Sequence, residues 1–258
     1  MNMSKNFDYY SIYYDLLYKQ KDYENEIQYV IDLFNRYCSR SVKKILELGC
    51  GTGSHATYLS RNGYNVLGID NSAGMVEIAK NKHLLDKSLQ FEVADIRTLK
   101  QRESEKFDAI VSLFHVVSYL NTNDDFVAAF KTCKNHLAPG GVFIFDCWYG
   151  PAVLTDLPSV RFRKLEDKDV VVNRVSLPTV RFNENIVDVN FKIMVVDKNS
   201  SKTKEFNELH SMRYLFLPEL QNLLNQANLK LTDAFEWKSV NPPGENSWNI
   251  VCIVTHKE

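Results

Sequence analysis

Glu47-Leu48-Gly49-Cys50-Gly51-Thr52-Gly53-Ser54-His55 is the stretch that decides the fold. The apolar run before it, Lys43 to Leu48 (KKILEL), stops at the glycines and reads as a buried strand. Thr57 to Arg61 beyond it reads as helix. Glycines between a strand and a helix let the backbone turn sharply and approach a ligand closely. The spacing is G-x-G-x-G, not the G-x-G-x-x-G that cradles a pyrophosphate, and the lysine and Ser/Thr of a P-loop are missing. A phosphate is therefore not the obvious ligand of this loop.

The same alternation continues outward. Tyr64 to Ile69 is a second strand ending in Asp70, and Ser72 is placed to cap a helix through Met75, Ile78 and Ala79. Leu89 to Val93 is a third strand, ending in Ala94-Asp95. Phe107 to Phe114 is a fourth, and a helix near Asp124 places Phe126, Phe130, Cys133 and Leu137 on one face. Pro139-Gly140-Gly141 predicts a turn before a fifth strand, Val142 to Phe145. Upstream, residues 23–38 carry helical spacing. From about residue 148 the period changes to two: residues 160–214 predict an antiparallel sheet inserted after the fifth strand. Leu217 to Ala227 returns to helix, and Leu229 to Trp237 and Trp248 to Thr255 read as strands. The expected fold is α/β, a doubly wound Rossmann-like sheet of seven strands with an inserted antiparallel β subdomain. Four segments follow: an N-terminal helical lid over 1–40, a ligand-binding core over 41–147, an insert over 148–213 capping a substrate pocket, and 214–258 completing the core sheet.

Composition narrows the function classes. The chain has 258 residues, 45% hydrophobic and 24% charged, which excludes collagen-like and disordered chains. Thirty-one basic residues against 32 acidic give a net charge of −1, which argues against nonspecific nucleic-acid binding. No apolar run has the length of a membrane span, and the N-terminus lacks a signal-peptide core. Five scattered cysteines without C-x-x-C read as reduced cytoplasmic thiols, and no metal-ligand spacing is present.

The strand ends supply the ligand chemistry. Asp70 can accept hydrogen bonds from ribose hydroxyls, and Asp95 from an exocyclic amine. Glu47, before the loop, suits an ammonium group. Together these describe an adenosine with a zwitterionic amino-acid tail, S-adenosyl-L-methionine. ELGCGTGSH, GID, VADIR, FDAIVSL and HLAPGG, in this order over residues 43–146, resemble the class I S-adenosylmethionine-dependent methyltransferases. YDLLY…KDY, CGTGSH and VSLFHVVSYL with the β-rich insert are similar to the amino-sugar N,N-dimethyltransferases that act on nucleotide-linked deoxysugars. The insert matches that group poorly.

The resemblance implies that Gly49, Asp70, Asp95, Ile96 and Leu113 line the cofactor, with Tyr23 and His55 beside its methionyl part. Cys50, Gly51, Gly53, Asn71 and Met75 complete the expected cofactor set. Tyr14 would face the substrate amine and Tyr119 the substrate mouth, and His115 is a candidate polar contact or proton acceptor. Trp148, His210, Arg213 and Trp248 are candidate substrate contacts: Arg213, Trp148 and Trp248 for a nucleotide diphosphate or a sugar face, and His210, like His115, as a candidate base were the acceptor an oxygen. No His–carboxylate pair is evident in the sequence. Six of the 13 tyrosines fall in the first 23 residues, which suits either a lid over the cofactor or a helix packed on the sheet edge. Asn241-Pro242-Pro243-Gly244 resembles the N-P-P-aromatic motif of amino-methyltransferases, but it lies far from the fourth strand and ends in glycine, so it reads as a loop. The expected partner is a small-molecule substrate, neither nucleic acid nor membrane, with a homodimer a candidate assembly. An O-methyltransferase and a non-catalytic S-adenosylmethionine-binding module are the alternative readings.

Overall fold

The computed structural model describes residues 10–99, 102 and 104–257, with side chains from Tyr13 onward. Of the expected lid over 1–40, residues 1–9, and with them Tyr9, lie outside the described residues.

The glycine loop joins β1 (Lys44–Leu48) to α3 (Ser54–Arg61), and the alternation runs on through β2 (Asn65–Asp70), α4 (Ala73–Lys82), β3 (Leu89–Val93), β4 (Phe107–Ser112), α5 (Asn123–His136) and β5 (Leu137–Trp148). After α7 (Leu217–Gln226), β10 (Leu229–Glu236) and β11 (Asn249–His256) complete a seven-stranded sheet in the order β10-β11-β5-β4-β1-β2-β3. The strands from β1 to β5 pair in parallel, and β11 runs antiparallel to both its neighbours. Chain order reverses between β1 and β4, which opens a crevice at the carboxyl ends of those strands. Apolar side chains such as Ile45, Val111 and Ile144 on one face, and Leu46, Ile110 and Phe143 on the other, are buried, as a sheet covered on both sides requires.

The fifth strand begins earlier than the turn residues predict. Pro139-Gly140-Gly141 lies inside β5, at a bulge where pairing with β4 shifts from Phe107↔Leu137 to Ala109↔Val142. Gly140 takes φ +75° there, and its carbonyl accepts from Ser39 N–H at 3.0 Å. A bulge lets the glycine turn chemistry persist without ending the strand.

Between β5 and α7, a short helix α6 (Gly150–Thr155) leads into a four-stranded antiparallel sheet of β6 (Arg161–Glu166), β7 (Val170–Arg181), β8 (Ile186–Asp197) and β9 (Thr203–Arg213). The inserted sheet of the sequence reading is thus present. The N-terminal helices are α1 (Tyr10–Leu17) and α2 (Tyr23–Tyr37). Leu17 packs with Val172, Ile193 and Val195 of the insert and Met75 of α4, joined by Tyr13, Tyr14 and Tyr18. The tyrosine-rich helix therefore lies between the insert and the core, not on the edge of the main sheet.

Gly49 shows why the loop tolerates little change. Its φ is +73°, and an added Cβ would lie 2.5 Å from both Val116 methyls. Gly49→Ala is expected to cost about 2–3 kcal/mol, combining left-handed strain with overpacking. Urea unfolding with an unchanged m-value checks this, and an unshifted midpoint would show that the loop relaxes.

Candidate active site

A cavity of about 710 Å³ opens at the carboxyl ends of β1, β2 and β4 and is closed from above by α1 and the insert sheet. Asp70, at the end of β2, holds two of its walls together. Its Oδ2 accepts from Gly51 N–H and its Oδ1 from Ser72 N–H, both at 2.9 Å. Burial pushes this carboxyl above the ordinary aspartate range, and the backbone donors oppose that shift. Ser72 also caps α4, accepting from Met75 N–H at 3.3 Å. On the next strand end, Asp95 is gripped by Arg97, whose Nε lies 2.9 Å from Oδ1 and Nη2 2.6 Å from Oδ2. The Arg97 hydrogen bonds hold the Asp95 carboxyl below its usual range.

After β4 the chain makes an unusual turn. Phe114 (φ +68°) and His115 (φ +62°) are consecutive left-handed residues without being glycine. Asp146 of β5 stabilises them: its Oδ1 accepts His115 N–H at 3.0 Å, and its Oδ2 stands 2.8 Å from His115 Nδ1. Strained backbone of this kind persists only where its surroundings fix it, and it concentrates at functional sites. The sequence showed no His–carboxylate pair. The structure corrects this with His115–Asp146, His55–Glu26 and His210–Glu208. Their partners come from different strands and helices or, for Glu208 and His210, from one face of β9, so no motif spacing reveals them.

Most of the sequence-derived candidates converge on this cavity. Tyr14, Tyr23, Gly49, Cys50, Gly51, His55, Asp70, Asn71, Met75, Asp95, Ile96, Leu113, His115, Tyr119, Trp148, His210 and Trp248 all line it. Three do not. Gly53 (φ +80°) precedes α3, and a Cβ there would meet Phe91 at 2.8 Å, so its place is in packing. Arg213 is buried behind the insert, where it pairs with Glu219, donates to Asn123 Oδ1 at 2.7 Å and lies over the Phe126 ring. Those contacts clamp β9 to α5 and α7 and leave its guanidinium turned away from the cavity.

Glu47 is the third. It is buried behind His55, whose Nδ1 is 3.7 Å from Oε1, and its Oε2 has no hydrogen-bond partner among the described residues. Burial pushes Glu47 up to about 8, and burial also lowers His55. On the other side of His55, Glu26 accepts from Nε2 at 2.9 Å and pairs with Lys21, which hold it down to about 2 against its burial.

Sequence reasoning missed Arg174, Phe191, Tyr18 and Phe114 as cavity residues. Arg174 is 7% exposed, its guanidinium lies 4.6 Å over the Phe191 ring, and its Nε and Nη1 have no hydrogen-bond partner among the described residues. Arg174 shares its face of β7 with Val172, which is fully buried, but the alternation in sequence does not say which face is inward.

The comparisons with known proteins bear on what this cavity holds. Residues 45–141 match the family model described as a methyltransferase domain. A dTDP-3-amino-3,4,6-trideoxy-alpha-D-glucopyranose N,N-dimethyltransferase of Streptomyces venezuelae is 28% identical over 84% of this chain and 89% of its own. The crystal structure of an S-adenosylmethionine-dependent methyltransferase from Clostridium acetobutylicum superposes with a TM-score of 0.78 at 24% identity, covering 97% of this chain and 98% of that one. The amino pentose methyltransferase CalS10 from Micromonospora echinaspora, with its cofactor bound, gives 0.75 at 22% identity over 97% and 98%.

Glu47 generates a test of the site's electrostatics. Its folded pKa is raised, so between the unfolded value and about 8 the folded state binds the extra proton and stability falls as pH rises. Glu47→Gln should remove that decline. It is expected to match wild type near pH 5 and exceed it at pH 9 in chemical unfolding. A constant difference at both pH values would show that the carboxyl is ionised throughout.

Proposed function

We propose that the chain, an S-adenosylmethionine-dependent methyltransferase similar to the amino-sugar N,N-dimethyltransferases, methylates the amino nitrogen of a nucleotide-linked amino sugar. The observation that carries the acceptor class is Arg174. A buried guanidinium in the cavity wall, with two nitrogens that have no hydrogen-bond partner among the described residues, calls for an anion, and a nucleotide phosphate would supply one. The names of the relatives, which include two dTDP-amino-sugar dimethyltransferases matching over 76% or more of this chain, support the same class.

The residues present fit the cofactor. Gly51 lines the cavity with open space where a Cβ would stand, and Asp70 presents a carboxylate beside it. When bound, the cofactor supplies a sulfonium methyl that is already electrophilic, so the protein's task is alignment of a nucleophile ~3–3.5 Å away. Asp70 would accept from the ribose hydroxyls, Ile96 and Leu113 would hold the adenine, and Tyr23, His55 and Gly49 would hold the amino-acid tail. Tyr14 and Tyr119 orient the acceptor nitrogen. Burial raises both phenols, so they act as neutral hydroxyls. Trp148 and Trp248, with ring centroids 5.6 Å apart, offer a face to the sugar.

One observation favours a second reading. The His115–Asp146 pair at the strained turn is what a hydroxyl acceptor would need as its base, so methylation of a sugar oxygen is the alternative. Mass spectrometry of products from a panel of dTDP-linked amino and hydroxyl sugars separates the two: methylated nitrogen is expected, and methylation of hydroxyl sugars alone would reverse the assignment.

Two variants test the placement. Asp70→Ala should weaken S-adenosylhomocysteine binding by about 2–3 kcal/mol in calorimetry, and an unchanged affinity in a folded protein would reduce the carboxylate to a loop tie. Arg174→Ala should raise KM for the nucleotide-linked acceptor about 10–100-fold and leave S-adenosylhomocysteine affinity unchanged. Equal KM values would remove the anion from the argument.

A further inference from the structure

Tyr119, His210 and Glu208 form a line of polar contacts that begins at the cavity and ends inside the insert. Tyr119 closes the 3-10 turn Val116–Tyr119, and its hydroxyl lies 2.8 Å from His210 Nδ1. His210 Nε2 lies 3.2 Å from Glu208 Oε2, two residues back on the same face of β9. Tyr119 and His210 line the cavity and Glu208 stands behind them; Glu208 and His210 are 4% and 3% exposed. A phenol donates its one proton and an ionised carboxylate only accepts, so the line has a direction: Tyr119 O–H to Nδ1, and Nε2–H to Glu208. That is the order in which a buried carboxylate holds an imidazole ready to take up a proton.

We propose that these three residues are the exit path for the proton of the acceptor amine. The inference rests on the amine acceptor of the preceding section. A sugar amine enters mostly as its ammonium, whose nitrogen has no lone pair to attack with. One ammonium proton passes to Tyr119 Oη as the hydroxyl proton passes to His210 Nδ1. The products are a neutral amine, an unchanged phenol and an imidazolium whose Nε2–H faces Glu208. The positive charge has moved from the substrate to His210, and the proton leaves later to cavity water. Tyr119 touches the substrate and is the catalytic residue. His210 acts through it, and Glu208 is a positioning residue.

The surroundings suit this transfer. Tyr14 of α1 and Tyr18 just after it face Tyr119, as do Asp70 at the end of β2 and Arg174 of β7. Arg174 lies across the Phe191 ring, whose centroid is 4.9 Å from that of His210. The Glu208 carboxylate beside Nε2 faces the charge that the transfer places on the ring. Burial keeps the Tyr119 phenol protonated, so it relays a proton without ionising.

Two readouts test the path. In the complex with S-adenosylhomocysteine, nitrogen-15 NMR of histidine-labelled protein should show His210 as the Nε2–H tautomer at pH 8, with an Nδ1 signal that moves in Tyr119→Phe. The wild-type measurement needs no variant to fold. An Nδ1–H tautomer, or an Nδ1 signal indifferent to Tyr119→Phe, overturns the path. In single-turnover methylation of a dTDP-linked 3-amino sugar, Tyr119→Phe and His210→Gln should each lower the plateau rate about 10–100-fold with KM for S-adenosylmethionine unchanged. Glu208→Gln should shift the rising limb of the pH profile to lower pH, and His210→Gln should move it up to the range in which the free amine forms in solution. Wild-type pH profiles in both variants overturn the path while the amine reading stands. If no amine is methylated and the tautomer is as expected, the amine reading falls and the path remains for a hydroxyl acceptor.

Discussion

One carboxylate joins the two loops on which the cavity is built. Asp70 takes the Gly51 N–H from the loop after β1 and the Ser72 N–H from the turn after β2, so neighbouring strand ends share an acceptor. Both loops would otherwise leave donors unsatisfied at a buried strand edge. The aspartate could not be moved: Gly51 must come close enough to donate, and Ser72 must then start α4 at the angle that brings Met75 to the wall. The carboxylate remains on the cavity surface, so the loop tie is also the residue proposed to hold the ligand. Removing it would disturb architecture and affinity together, so binding must be measured against an intact fold.

The second constraint comes from β4. A parallel strand ending in two left-handed residues is costly. Asp146 from β5 meets that cost with a hydrogen bond to the His115 backbone and a contact to its ring. Phe114 is turned under Tyr18, with ring centroids 4.8 Å apart, so the strained turn and the segment that follows α1 support each other. The turn thus fixes His115 toward the cavity and gives that segment a surface to rest on.

Legibility followed sequence separation and periodicity. The glycine loop, the strand-end aspartates and the change of period near residue 148 are local patterns, and each element they predict is present. Pairs such as His115–Asp146 and Tyr119–His210 join residues 31 and 91 positions apart, so only the folded topology shows them. The insert illustrates the remaining difficulty. In β7 both faces carry mixed residues: Val172, Arg174 and Ser176 point one way, Val171, Asn173 and Val175 the other. Period two announced a strand but could not say which face was inward. Arg213 was a candidate for the same anion that is proposed for Arg174, because both are arginines in β-like sequence; both are buried, and only their partners and their place relative to the cavity separate them.

The inward face of the insert explains how one small sheet serves two tasks. Val172, Ile193 and Val195 lie toward one end, where they bury Leu17 of α1. Arg174, Ser176 and His210 lie toward the other end, on the cavity. The pairings Arg174↔Ile193 and Ser176↔Phe191 place the change from apolar to polar within two residues along the strands. The apolar end holds α1 by hydrophobic contact, and the polar end faces the cavity. A ligand that engaged Arg174 would therefore add contacts to the same sheet that seats α1. By linkage, anything that binds this folded arrangement and not a looser one stabilises it. The helix that carries Tyr14 and the strand that carries Arg174 are thereby parts of one wall of the cavity.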